Sequence, residues 1–132
     1  MTVGRGIKVY AVGLLLAAAI ACSRGPLRVD TIQLGRSLNP DNSVASHCST
    51  FKHNETVYVA VLTADKGAGT IGAKWSYAGR VIDEPKKEVS YRGAAATEFH
   101  LQSAGGFPPG DYKVEIFLDG TAAGSRTFRV DH

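Results

Sequence analysis

The chain has 132 residues, 44% of them hydrophobic and 20% charged, with a formal net charge of +3. That length and balance allow one globular domain with an ordinary core and exclude a low-complexity chain. The basic side chains are scattered, with no cluster larger than Lys86-Lys87, so nucleic acid binding has no electrostatic footprint here.

Residues 1–21 differ from the rest. Arg5 and Lys8 form a positive n-region, and Val9 to Ala21 is uncharged and apolar, ending in small residues before Cys22. The run is shorter than the roughly 20 apolar residues a membrane-spanning helix needs. It reads as an export signal, outside the folded domain. Ala19-Ile20-Ala21-Cys22 resembles the signal of bacterial lipoproteins, in which the cysteine after the cut receives a diacylglycerol. The resemblance assigns residues 1–21 to a signal peptide, Cys22 to lipidation and 22–27 to the lipidated cysteine and a tether. Each buried CH₂ contributes about 0.8 kcal/mol, so two or more acyl chains anchor durably to a membrane. Ser23 after the cysteine resembles Gram-negative outer-membrane lipoproteins, which implies a domain facing the periplasm. Removing Arg5 and Lys8 with the leader would bring the net charge close to zero.

Beyond the tether the chain reads as strands. Val29 to Leu34 is a first strand, and Gly35 to Thr50 is polar and turn-rich around Asn39-Pro40-Asp41-Asn42. Glu55 to Thr63 contains Val57-Tyr58-Val59-Ala60-Val61-Leu62, β-branched and aromatic without a breaker. Lys66 to Thr70 is expected to be a glycine-rich loop. Ile71, Ala73, Trp75 and Tyr77 then alternate with Gly72, Lys74 and Ser76 until Ala78-Gly79 turns the chain. Arg80 to Tyr91 reads as two short strands either side of a polar excursion at Pro85-Lys86-Lys87. Thr97, Phe99 and Leu101 alternate with Glu98, His100 and Gln102.

The last stretch, Phe107 to Val130, is a hairpin. Tyr112, Val114, Ile116 and Leu118 share one face, Lys113, Glu115, Phe117 and Asp119 the other, and Asp119-Gly120 marks the turn. Pro108-Pro109-Gly110 bars helix and central strand, so this strand starts after it. A two-residue turn with unbroken pairing would put Phe128 and Val130 on the face opposite Tyr112, Val114 and Ile116. Burying both sets predicts one extra residue, in the turn or in a bulge near Gly124.

Strands spaced this way, with no helical period after residue 28, predict an all-β fold: a two-sheet antiparallel sandwich of about seven strands over residues 28–132. Trp75 falls on the strand where immunoglobulin-like sandwiches bury a tryptophan, and Tyr112 falls where they have a tyrosine corner. On those residues the chain resembles immunoglobulin-like domains, without the cysteine pair of antibodies. Phe107-Pro108-Pro109-Gly110-Asp111-Tyr112, leading into a strand that ends in Asp-Gly, resembles small bacterial lipoproteins carrying such a domain. The resemblance implies a fold and no particular chemistry.

The motifs that could carry chemistry are few. Gly67, Gly69 and Gly72 fit G-x-G-x-x-G, but a dinucleotide site needs a helix next, and Gly72 already lies in a strand. Asp83 and Glu84 are adjacent and point apart on a strand, which makes no acid–base pair. Asn54-Glu55-Thr56 is a sequon, which has little meaning in bacterial export. No motif of a hydrolase or metalloprotease is present, so an enzyme is not expected and no cofactor is implied. His47, Cys48 and His53 are an alternative copper or zinc set, short of the usual number and spacing of ligands. With Cys22 modified, Cys48 has no disulfide partner.

The expected function is a lipid-anchored envelope protein acting as a non-catalytic binding or accessory module, its partner another envelope protein or a polysaccharide. The alternatives are metal handling and a purely structural domain. Phe117 is the one large apolar side chain in the outward set of its strand. An exposed Phe117 ringed by Lys74, Ser76, Thr127 and Arg129 would form a partner-binding face.

Overall fold

The structure, a computed structural model, describes residues 26–132; the signal segment and Cys22 lie outside the described residues. Nine strands follow in chain order: β1 (Val29–Gly35), β2 (Thr50–Lys52), β3 (Val57–Thr63), β4 (Gly67–Tyr77), β5 (Arg80–Asp83), β6 (Lys86–Tyr91), β7 (Ala95–Leu101), β8 (Gly110–Leu118) and β9 (Thr121–Asp131). They form a three-stranded sheet, β1-β3-β7, against a six-stranded one, β2-β9-β8-β4-β5, with β6 also paired to β4. All pairings between these strands are antiparallel except β2 beside β9. The described residues contain no helix.

The count exceeds the expected seven or so for identifiable reasons. β2 is three residues long and carries no alternation of its own; it exists because Phe51 is drawn into the core beside Val130. The stretch expected as a loop at Lys66–Thr70 is strand from Gly67 onward, pairing with Val89–Tyr91 and their neighbours. Lys86 and Lys87, expected in a polar excursion, begin β6 opposite Gly72 and Ile71.

The core lies between the sheets. Trp75, Val114, Ile116, Phe128 and Val130 meet Ile32, Leu34, Val59, Val61 and Phe99, all buried. Each such side chain contributes about 1.5–3 kcal/mol through the apolar surface it removes from water. The Phe128 ring stacks on Tyr112 at 5.2 Å and stands edge-on to Trp75 at 6.0 Å. Leu27, counted with the tether in the sequence, is 2% exposed and closes one end of this core.

The hairpin keeps its two-residue turn and still corrects its parity. Asp119 and Gly120 have φ of 51° and 83°, and Leu118 faces Thr121. The ladder then skips Ala123, passing from Phe117↔Ala122 to Ile116↔Gly124. Gly124, at φ 153°, takes a conformation costly for a residue with a Cβ. The bulge restores Phe128 and Val130 to the inner face, as the hydrophobic pattern requires. Upstream, the Tyr112 hydroxyl donates to the Pro108 carbonyl at 2.6 Å and Tyr77 donates to Pro109 at 2.9 Å. The first bond is the tyrosine corner expected at Tyr112.

The two sheets differ in what covers their outer faces. From Gly35 the chain forms a small hairpin, bridged at Gly35↔His47 and Leu38↔Val44, that folds back over the three-stranded sheet. Its backbone bonds close through Ala45 N–H to Ser37 O and Asn39 N–H to Ser43 O, and Val44 N–H reaches Gln33 Oε1. Val44 is 3% exposed and Ala60, on the outward set of β3, is 0% exposed. This roof is fixed at its base by Arg36, which bonds Glu55 at 2.7 Å and the Thr50 carbonyl at 2.8 Å. No segment among the described residues lies over the matching face of the six-stranded sheet, where Lys74, Ser76, Lys113 and Thr127 are at least partly open.

Candidate functional site

That bare face is where the sequence placed its candidate residues. β4, β8 and β9 run side by side, with Lys74↔Glu115, Ser76↔Lys113, Gly72↔Phe117 and Lys113↔Thr127 directly opposite. Phe117, Lys74, Thr127 and Arg129 therefore share one face. They do not form one ring. Thr127 and Arg129 sit opposite Lys113 and Asp111, four and six residues before Phe117 along β8. At about 3.4 Å per residue, Thr127 is about 14 Å from Phe117 along the strand. Alternation fixes which face a side chain takes, but the bulge and turn fix where along the face it falls.

Two depressions result, with Lys74 on the crest between them. One, of about 590 Å³, is lined by Phe117, Gly72, Lys74, Lys86, Glu84 and Asp119. The other, a groove of about 790 Å³, is lined by Lys74, Ser76, Lys113, Thr127, Arg129 and, at its rim, Val81. Phe117 is half-buried rather than fully open, because Lys74 lies over it with its Nζ 5.7 Å from the ring centroid. A cation over an aromatic face contributes about 0.5–1 kcal/mol at an exposed site.

The charges on the face are unevenly matched. Arg129 pairs with Asp111 at 3.0 Å and Asp131 at 3.4 Å, and Lys113 lies 4.0 Å from Glu115. Neither Lys74 nor Lys86 makes an ion pair among the described residues, so both ammoniums are available to an incoming group. Ser76, Thr127 and Thr50 add hydroxyls to the groove. The arrangement offers hydrogen-bond donors, acceptors and two unpaired cations on one sheet face. The rim residue Val81 and the β2 contribution escaped the sequence reading, since neither follows from alternation along a single strand.

The alternative metal set is not brought together. Among the described residues no three His, Cys, Asp or Glu side chains form a metal-binding group. His47 and His53 are exposed; the His53 ring lies beside Gly106, and its carbonyl accepts from Phe107 N–H at 2.8 Å. Cys48 is half-buried beside the core, and burial pushes its thiol above the ordinary range, opposed by the nearby Arg36. His100 pairs with Glu98 at 3.2 Å on the other sheet, next to the Tyr58 ring. Gly67, Gly69 and Gly72 all lie in β4, with no helix after them to hold a pyrophosphate.

No family model and no curated protein matches the chain. Solved structures do. An immunoglobulin-like protein from Pseudomonas aeruginosa is similar over 82% of this chain and 98% of its own, at 11% identity and a TM-score of 0.57. A β-glucosidase from Listeria innocua (12% identity, TM-score 0.48) is matched over 77% of this chain and 16% of its own. An alkylpurine DNA glycosylase from Pseudomonas fluorescens (11% identity, TM-score 0.48) is matched over 82% of this chain and 31% of its own. The chain thus spans a small part of either enzyme. At 11% identity the likeness to the Pseudomonas aeruginosa protein concerns the fold, and together with the two sheets it makes this an immunoglobulin-like β-sandwich.

Proposed function

We propose that the chain is a lipid-anchored protein of a bacterial cell envelope, held by Cys22 in the outer membrane and facing the periplasm, that works as a non-catalytic binding or accessory module. Its partner docks on the bare face of the six-stranded sheet. The observation that carries this reading is the contrast in cover: one sheet is roofed by the chain's own hairpin, while the other presents Lys74 between two depressions, one of them lined by Phe117, with no segment among the described residues over them. A protein partner fits the face better than a polysaccharide. Sugar binding favours several open aromatic platforms, and this face has one half-buried ring and a mixed set of charges. Leu27 lies beside Gly67, and the five residue steps from Cys22 to Leu27 span at most ~18 Å, which would keep the sandwich close to the membrane.

The test has two arms. Replacing Cys22 with Ala should release the protein from salt-washed membranes; retention would refute the anchor and leave the binding face standing. Lys74→Glu in the anchored protein should remove cross-links to an envelope protein seen with the native chain. Binding to purified polysaccharide without any protein cross-link would move the reading to a sugar ligand. Neither kind of binding, with the anchor intact, would leave a purely structural domain.

A further inference from the structure

The two large apolar side chains most open to solvent among the described residues, Val81 at 46% and Ile82 at 44%, are neighbours on β5. β5 is an edge strand exposed at every position. Further along the same edge of β4, Pro85, Lys86 and Lys87 guard β6 in the manner usual for sheet edges. β5 has neither proline nor lysine. Short as it is, this edge still leaves backbone groups open beside two exposed apolar side chains, a template for another strand.

The backbone specifies which strand fits. Ala78 and Gly79, at φ 49° and 79°, make a two-residue turn of the primed type, and Tyr77 and Arg80 flank it. In such a hairpin the flanking pair exchanges both backbone hydrogen bonds. Val81, the next position, therefore turns its N–H and C=O away from β4 toward the open side. The ladder then passes from Ser76↔Val81 to Trp75↔Asp83, leaving Ile82 as an extra residue. Because of this bulge, Arg80 and Asp83 occupy the ladder positions either side of Val81.

We infer that β5 pairs antiparallel with β5 of a second copy, about a two-fold axis through Val81. The edge is complementary to itself in that register. Val81 faces the second copy's Val81 and exchanges two backbone hydrogen bonds with it. Each Arg80 faces the second copy's Asp83, and the two Ile82 side chains flank the axis. A shift of one position would break the backbone pairing, and a shift of two would remove both ion pairs. The contact is small beside a standard interface, so the dimer is weak in dilute solution and forms where the chain is crowded on a surface. The crowding rests on the anchor proposed above, while the pairing itself uses the edge of the sheet, with Val81 shared by the rim of the face's groove.

Charge exchange tests the register. The full-length chain, in detergent or in vesicles at high protein density, is expected to sediment or cross-link as a dimer. Arg80→Asp and Asp83→Arg each place like charges opposite one another twice, and each should lower the dimer fraction by about tenfold or more. The double variant R80D/D83R should recover it, which a folding defect would not allow. A monomeric native chain, single variants that dimerise as well as the native chain, or a double variant that stays monomeric would each overturn the pairing. So would a monomeric chain whose cross-link to another envelope protein is lost in Val81→Asp, since the edge would then serve a different partner.

Discussion

β3 and β8 are central strands of opposite sheets, and they are written differently. β3 reads Val57-Tyr58-Val59-Ala60-Val61-Leu62-Thr63, an almost unbroken apolar run, with only Tyr58 and Leu62 partly open. β8 alternates from Asp111 to Ile116, with Tyr112, Val114 and Ile116 buried between Asp111, Lys113 and Glu115. A continuous run marks a strand covered on both faces, and alternation marks one covered on a single face. The hairpin from Gly35 to Cys48 supplies the second cover for β3. Nothing among the described residues supplies one for β8. The difference teaches that the sequence of β3 is written for cover on both faces and that of β8 for cover on one.

The sharpest way to break that comparison is to add one methyl group to each face. Gly35 lies under the roof, and a Cβ there would overlap the Ser46 carbonyl oxygen and Val44 Cγ1. Gly72 lies on the bare face, and a Cβ there would meet Lys86 Cγ at 3.5 Å and Phe117 Cβ at 3.9 Å, ordinary contacts. Gly35→Ala should cost about 1–3 kcal/mol through overpacking. Gly72→Ala should be neutral or stabilise by about 0.4–1 kcal/mol, since alanine restricts the unfolded chain. Urea denaturation of the two variants measures both. Equal losses would show that the faces are equally packed.

A smaller effect concerns the base of the roof. The Lys52 N–H, and behind it Arg36, hold the Glu55 carboxyl below its usual 4.5. A carboxylate whose folded pKa is depressed contributes stability that is fully present above the usual value and is lost as the pH falls through the folded one. Stability of the native chain should therefore drop between about pH 5 and the depressed value, and part of that drop should vanish in Glu55→Gln. At pH 7 the same substitution should cost below about 1 kcal/mol, as an exposed ion pair does. Identical acid transitions in the two proteins would show that Glu55 does not hold the roof.

Much of this organisation was legible in the residues. Alternation in β8 and in the second half of β4 gave the faces, the parity of Phe128 and Val130 demanded an extra residue, and Tyr112 marked its corner. What stayed hidden depended on contacts remote in sequence. Glycine at 67 and 69 reads as loop; in the fold it lets β4 pass close to other segments, since a Cβ at Gly67 would meet the Leu27 backbone at 3.0 Å and one at Gly69 the Asp119 carboxylate at 3.2 Å. β2 is held by the strand beside it and by the burial of one phenylalanine. The candidate site was legible as a face and illegible as a position, because pattern sets the side on which Thr127 and Arg129 lie, while register separates them from Phe117. The roof was encoded in the unbroken apolar run of β3, which was read only as a firm strand.

Phe117→Ser is also expected to have a small effect on stability, and it bears most directly on the bare face. Its ring is half-buried, with Lys74 above it and the backbone of Gly72 opposite. A fully buried phenylalanine cut down to a small residue costs about 3–5 kcal/mol because it leaves a cavity. Here the site opens to a surface depression, so water can occupy the vacated volume and no sealed cavity forms. The variant loses the partial burial of one ring and the cation–π contact, together about 1 kcal/mol. Thermal unfolding of native and variant chains should differ by a few degrees, about the shift 1 kcal/mol produces in a domain of this size. Cross-linking to an envelope partner should fall at the same time, and Lys74 should become freer. A loss of stability on the scale of a core phenylalanine would mean that Phe117 belongs to the packing of the sheet, and the bare face would lose the one aromatic group around which a partner could close.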